Sequence, residues 1–158
     1  MVYRFVDQMD AVRRRRARAI TARVLSGLVL ALISTRAVAA PVRIEIHGVV
    51  KSAGTVHIAL FHDEKSWDSE DADSTVKVPA VPGTTVAQLD LPPGDYAFFI
   101  YDDVNGNGKL DKTWLGFPDE PYAFSNNVKL GLSKPSFAEL KFTVSARGAN
   151  QVIQLVEP

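Results

Sequence analysis

The chain of 158 residues contains no cysteine, two methionines, two tryptophans and three histidines. Without cysteine there is no disulfide, no thiolate metal centre and no lipid-modified cysteine anchor. No Gly-x-Ser-x-Gly turn presents a nucleophilic serine. No apolar run reaches the roughly 20 residues that a bilayer-spanning helix needs. A long amphipathic helical pattern is missing too, which leaves β-structure to build the core.

What the N-terminus does have is a basic stretch, Arg13 to Arg16 with Arg18 and Arg23, followed by the short apolar run Val24 to Ile33 and then Ala37-Val38-Ala39-Ala40. Basic, apolar and small-residue segments in that order predict a cleavable secretory signal peptide over residues 1–40, with Met9 a candidate start. The competing reading is an uncleaved anchor helix, which the Ala-x-Ala end disfavours. Arg-Ala-Ile-Thr matches the twin-arginine route poorly, so general secretion is expected. The mature domain, residues 41–158, is then periplasmic or secreted, with no membrane span after cleavage.

The full chain carries 18 basic and 18 acidic residues; 8 and 2 of these lie in residues 1–40, leaving 10 and 16 and a net charge of −6 for the mature part. Such a domain repels phosphate backbones, which argues against a nucleic-acid partner. Its length suffices for one domain with one apolar core.

Strand signals dominate residues 41–158. Val42 to His47 alternates apolar and polar, and Thr55 to Phe61 follows the turn Lys51-Ser52-Ala53-Gly54. Pairing these two as a hairpin sets Ile46 against Ile58 and Ile44 against Leu60 inside, with His47 opposite His57 outside. Phe61 to Asp73 is polar and acidic around Trp67, a loop with room for one helical turn. Thr75 to Val81 and Thr84 to Leu89 flank Pro82-Gly83. Tyr96 to Tyr101 is apolar on both faces, as a doubly covered central strand is. Trp114 to Asn127 reads as a long connection. Phe137 to Val144 alternates with Leu140, Phe142 and Val144 inward, and Gln151 to Val156 closes the chain. Seven short strands separated by turn signals predict an all-β sandwich.

Asp102-Asp103-Val104-Asn105-Gly106-Asn107-Gly108-Lys109-Leu110-Asp111 is the stretch richest in chemistry. With Asp103 at position one of a calcium loop, Asn105 and Asn107 occupy positions three and five. Gly108 then takes the sharp turn, Lys109 offers its carbonyl and Asp111 fills position nine. Position twelve requires a bidentate Glu and holds Trp114, and a strand precedes the loop, so an EF-hand is excluded. A looser Asp/Asn loop remains, with Asp102, Asp119 and Glu120 as further oxygens, and it predicts weak Ca²⁺ binding at about 10⁻⁴–10⁻³ M. The competing reading is a plain hairpin loop, since Asn-Gly dipeptides favour positive φ.

The run Leu91-Pro92-Pro93-Gly94-Asp95-Tyr96, the Asp102–Asp111 stretch, Trp114-Leu115-Gly116-Phe117-Pro118, Tyr122 to Asn127 and Pro135-Ser136-Phe137 together resemble the DUF2141 family of exported bacterial domains of unknown function. The likeness spans essentially residues 42–156. It implies an immunoglobulin-like or transthyretin-like β-sandwich and export. It carries no activity, substrate or catalytic residue.

Other residues offer less. Trp114, Phe117, Tyr122 and Phe124, with Asn126 and Asn127, form a candidate ligand surface for a glycan or an envelope protein; the alternative is that these rings fold back to complete the core. His47, His57 and Glu45 are candidate transition-metal ligands, while solvent-facing strand histidines are common without one. His62-Asp63-Glu64 reads as a solvated loop start. Ser125 has no histidine near it in sequence. Asp119 and Glu120 are adjacent in a proline-bounded loop, where facing water is commoner than glycoside hydrolysis. The expectation is a non-enzymatic exported module with a structural Ca²⁺ loop; a calcium-independent structural domain and a small hydrolase are the alternatives.

Overall fold

The computed structural model describes residues 38–50, 54–131 and 133–158. The signal-peptide reading of residues 1–40, apart from 38–40, lies outside the described residues, as do Lys51 to Ala53 of the predicted hairpin turn.

The elements in order are β1 (Ala40–Val49), β2 (Thr55–Phe61), α1 (Glu64–Asp68), β3 (Ser74–Pro79), β4 (Gly83–Leu91), β5 (Gly94–Asp103), β6 (Tyr122–Phe124), α2 (Phe137–Leu140), β7 (Phe142–Val144) and β8 (Ala149–Gln154). One sheet has the order β4-β1-β8, with β4 antiparallel and β8 parallel to β1. The other runs β3-β2-β5-β6, and β7 also pairs with β5. The two sheets pack face to face, and the protein is an all-β sandwich. Among the described residues no helix is long and apolar enough to cross a membrane.

Strict alternation builds the core between the sheets. Val42, Ile44 and Ile46 of β1 meet Val56, Ile58 and Leu60 of β2 and Phe98 and Ile100 of β5, all nearly inaccessible. Burying such a side chain contributes about 1.5–3 kcal/mol relative to leaving it exposed. Strand β5 is covered on both faces, as its unbroken apolar sequence predicts. Phe98 and Ile100 face the other sheet, while Ala97 and Phe99 face a second cluster with Phe61, Trp67, Phe124 and Leu140.

Three expectations are corrected. First, β1 and β2 do not pair: they belong to different sheets, and β1 runs beside β4 while β2 runs between β3 and β5. Ile44, Ile46, Ile58 and Leu60 do all point into one core, but from opposite sheets. Alternation specifies which face is buried and leaves the partner strand open. His47 therefore sits opposite Thr84, and His57, which pairs with Lys77 and Tyr101, is buried rather than outward.

Second, Phe137 to Val144 is not one strand. Ser136 and Glu139 form a capping box that winds Phe137–Leu140 into a helical turn, after which Phe142–Val144 extends as β7. The inward set Leu140, Phe142 and Val144 holds regardless. Third, the long connection is not without structure: it contains a short strand, β6, beside the seven expected, among the described residues. The helical turn within Phe61 to Asp73 forms as α1, capped by the Asp63 carboxylate accepting from the Ser66 amide.

Candidate functional site

Strand β5 ends by delivering two consecutive aspartates to opposite faces. Asp102 continues the row of Phe98 and Ile100 and is fully buried; neither carboxylate oxygen has a hydrogen-bond partner among the described residues. Burial pushes its carboxyl pKa up and the Asp103 charge adds to the rise; the Val50 amide lies near enough to pull against it without meeting hydrogen-bond geometry. Gly54 lies against it so closely that an added Cβ would meet the Asp103 carbonyl oxygen at 2.7 Å and Asp102 Oδ1 at 3.2 Å. Only glycine fits there.

Asp103 points the other way, into the 104–111 loop. Its Oδ1 accepts from the backbone N–H groups of Gly106 at 2.8 Å and Asn107 at 3.1 Å, and its Oδ2 from that of Gly108 at 2.8 Å. Gly106 and Gly108 both adopt positive φ, 75° and 81°, which turns successive amides onto the one carboxylate. Beneath it lies His57, with Nε2 3.5 Å from Asp103 Oδ2 and Nδ1 3.0 Å from the Tyr101 hydroxyl. The two rings stack at 4.6 Å. A hydroxyl that donates to Nδ1 and a carboxylate facing Nε2 both favour the neutral Nε2–H tautomer. Burial holds the His57 pKa below its ordinary value; Lys77 lowers it further and Asp103 opposes.

Of the remaining predicted ion ligands, Asn105, Asn107 and Asp111 converge outside this anchor, while Lys109 is tied in by its backbone N–H. Asn105 Nδ2 and Asn107 Nδ2 donate to Asp111 Oδ2 at 2.5 and 2.8 Å. Asn105 Oδ1 accepts from the Asn107 amide and Asn107 Oδ1 from the Lys109 amide, a pair of successive Asx turns. Each amide oxygen keeps a second lone pair. Glu120, buried, clamps both ends of the loop: Oε1 accepts from the Val104 amide at 3.0 Å and Oε2 from the Asp111 amide at 3.2 Å. Burial raises its pKa, offset by those two amides, while Asp103 and Asp111 add to the rise. Its neighbour Asp119 is exposed and gives its backbone N–H to the Asp111 carbonyl. Among the described residues no three His, Cys, Asp or Glu side chains come together in metal-binding geometry, so a cation here would need Asn and backbone oxygens beside at most two carboxylates.

The aromatic segment divides. Phe124 is buried in the second cluster, with Tyr122 packed partly against it. Trp114 is 92% exposed, and Leu115 and Phe117 stand out beside it. Asn126 and Asn127 adopt positive φ and spend their side chains on backbone. Asn126 Nδ2 donates to the Leu140 and Lys141 carbonyls; Asn127 donates to the Val152 carbonyl and accepts from the Gln154 amide. Ser125 is equally committed, accepting from the Phe98 amide and donating to the Leu140 carbonyl. His47 is 3.0 Å from Glu45 and remote in pairing from His57, while His62 lies between Asp73 at 2.7 Å and Asp63 at 3.4 Å.

Two features escaped sequence reasoning. One is the Tyr101–His57–Asp103 stack under the loop, which depends on β2 lying beside β5. The other is a cavity of about 550 Å³ on the outer face of the five-stranded sheet, floored by Phe61, Trp67, Phe99 and Phe124. Trp67, alone in a polar stretch, was its one visible signal.

A family model described as an uncharacterized protein conserved in bacteria, DUF2141, matches residues 44–153. No curated protein and no solved structure matches.

Proposed function

The chain belongs to the DUF2141 family of bacterial proteins, and from the loop that leaves β5 we propose an exported, non-enzymatic sandwich module whose 103–111 loop takes up Ca²⁺ weakly and so orders the aromatic segment that follows. One observation carries this reading: the side-chain ends of Asn105, Asn107 and Asp111 meet at a single point above a backbone cradle fastened to Asp103. A cation at that point would draw on Asp111, on the Asn105 and Asn107 side chains once their amides turn to present Oδ1 where Nδ2 now meets Asp111, and on the Lys109 carbonyl, with Asp103 shared between cation and amides. One full carboxylate and one shared one make the binding weak, about 10⁻⁴–10⁻³ M. The cation would also relieve the like-charge pressure on Glu120. The ordered segment then presents Trp114 and Phe117 to an envelope protein or a glycan.

A second reading has its own support. The loop already satisfies its polar groups internally, with both Asn amides bonded to Asp111, as a calcium-independent structural hairpin would. Thermal unfolding of the protein in chelator and then in millimolar Ca²⁺ separates the two. A site of millimolar affinity at tenfold excess raises stability by about 1.4 kcal/mol through mass action. An unchanged midpoint for wild type, or the same rise in Asp111→Ala, would favour the structural hairpin.

A further inference from the structure

We propose that the cavity on the outer face of the five-stranded sheet is a binding site for a single-chain alkyl carboxylate, a fatty-acid anion. Its floor is Phe61, Trp67, Phe99 and Phe124, and its outer wall is the exposed pair Leu115 and Phe117. At about 550 Å³ it falls within the 300–1,000 Å³ typical of small-ligand pockets, and an apolar lining with few polar groups is their usual character.

The charges at its rim select the head group. Lys112 and Lys134 both line the cavity, in a segment, residues 41–158, that has only 10 basic residues against 16 acidic ones. Lys134 Nζ stands 4.3 Å from the centre of the Trp67 ring and 3.5 Å from Glu70. Lys112 makes no salt bridge among the described residues. Glu70, the one acid in the lining, is already opposed by Lys134, so Lys112 leaves the mouth net positive. An apolar trough with a cationic rim on a net-negative domain complements an apolar chain ending in one negative charge. A cationic or neutral chain lacks that match. The floor of the cavity lies apart from the 103–111 loop, while its outer wall, Leu115 and Phe117, belongs to the segment that Ca²⁺ is proposed to order; binding in chelator as well as in Ca²⁺ distinguishes a failure of this site from a failure of the Ca²⁺ reading.

The test is a titration of the full chain with octanoate, decanoate and dodecanoate below their micellar concentrations, followed by tryptophan fluorescence and calorimetry, in chelator and again in Ca²⁺. Saturable one-to-one binding is expected, tightening about fourfold per methylene. Decanol and decyltrimethylammonium should bind at least tenfold more weakly than decanoate. Lys112→Glu should weaken decanoate severalfold and leave decanol unchanged, and Leu115→Asp should weaken both. The proposal is overturned by an absence of saturation or by equal binding of alcohol and carboxylate. It is also overturned by wild-type affinity in Leu115→Asp, which would put the ligand elsewhere on the chain. Sedimentation showing a dimer dispersed by Leu115→Asp, with no carboxylate uptake, would assign the cavity to a second copy instead.

Discussion

His57 and Asp103 face each other at 3.5 Å between β2 and β5, both nearly sealed from solvent. The carboxylate therefore holds the loop on one side and meets a neutral imidazole on the other. Its three amide bonds make it the anchor of residues 104–108. Asp103→Ala strands those donors, and a loss of about 2–3 kcal/mol in urea unfolding is expected. Asp103→Asn keeps one acceptor oxygen and should lose less.

His57 and His62 should titrate on opposite sides of the ordinary value of 6.5. Burial lowers His57, whereas the Asp73 hydrogen bond raises His62. His57 thus contributes stability above pH 6.5 that is lost as pH falls toward its folded pKa. His62 does the reverse: its contribution is present below pH 6.5 and lost as pH rises through its folded pKa. NMR titration of the ring protons measures both, and a His57 value above that of His62 would contradict this assignment.

Asp102 is buried, neither carboxylate oxygen has a hydrogen-bond partner among the described residues, and burial holds its carboxyl pKa above the ordinary 3.8. The native state therefore binds the proton more tightly than the unfolded chain. Stability from this group is greatest below pH 3.8 and falls as pH rises through the folded value. Asp102→Asn should stabilise the protein at pH 7 by about 1–3 kcal/mol and flatten that part of the pH profile. Unfolding curves of both proteins across pH 3–8 check it.

Ser136→Ala removes the capping box of α2 and should cost about 1 kcal/mol. Because Leu140 is buried and its carbonyl receives Ser125 and Asn126, the loss should also raise hydrogen exchange at the start of β7. Equal exchange in both proteins would show that α2 does not fasten this corner.

Much of this architecture was readable from the residues in order. Val42, Ile44 and Ile46 announce a half-buried strand, and Tyr96 to Tyr101 announces one covered on both sides, because burial follows the two-residue period of the strand. The Ser136-x-x-Glu139 capping signal was present as well, but the alternation of Phe137 to Val144 masked it; a local hydrogen-bond pair outweighed the pattern. Asn105, Asn107 and Asp111 were legible as one oxygen-rich loop because they are close in sequence. Glu120 as the clamp across that loop was visible only as a nearby carboxylate.

By itself the sequence determined which faces are buried, that β-structure dominates, and that residues 103–111 turn tightly, with glycines at positive φ. These are local matters of side-chain period and backbone conformation. Tertiary structure alone decided that β1 and β2 lie in different sheets, that His57 rests under Asp103, and that Trp67 and Phe99 floor a common cavity. Those relationships join residues tens of positions apart. They follow from which strands find each other, and period-two alternation is the same for every partner.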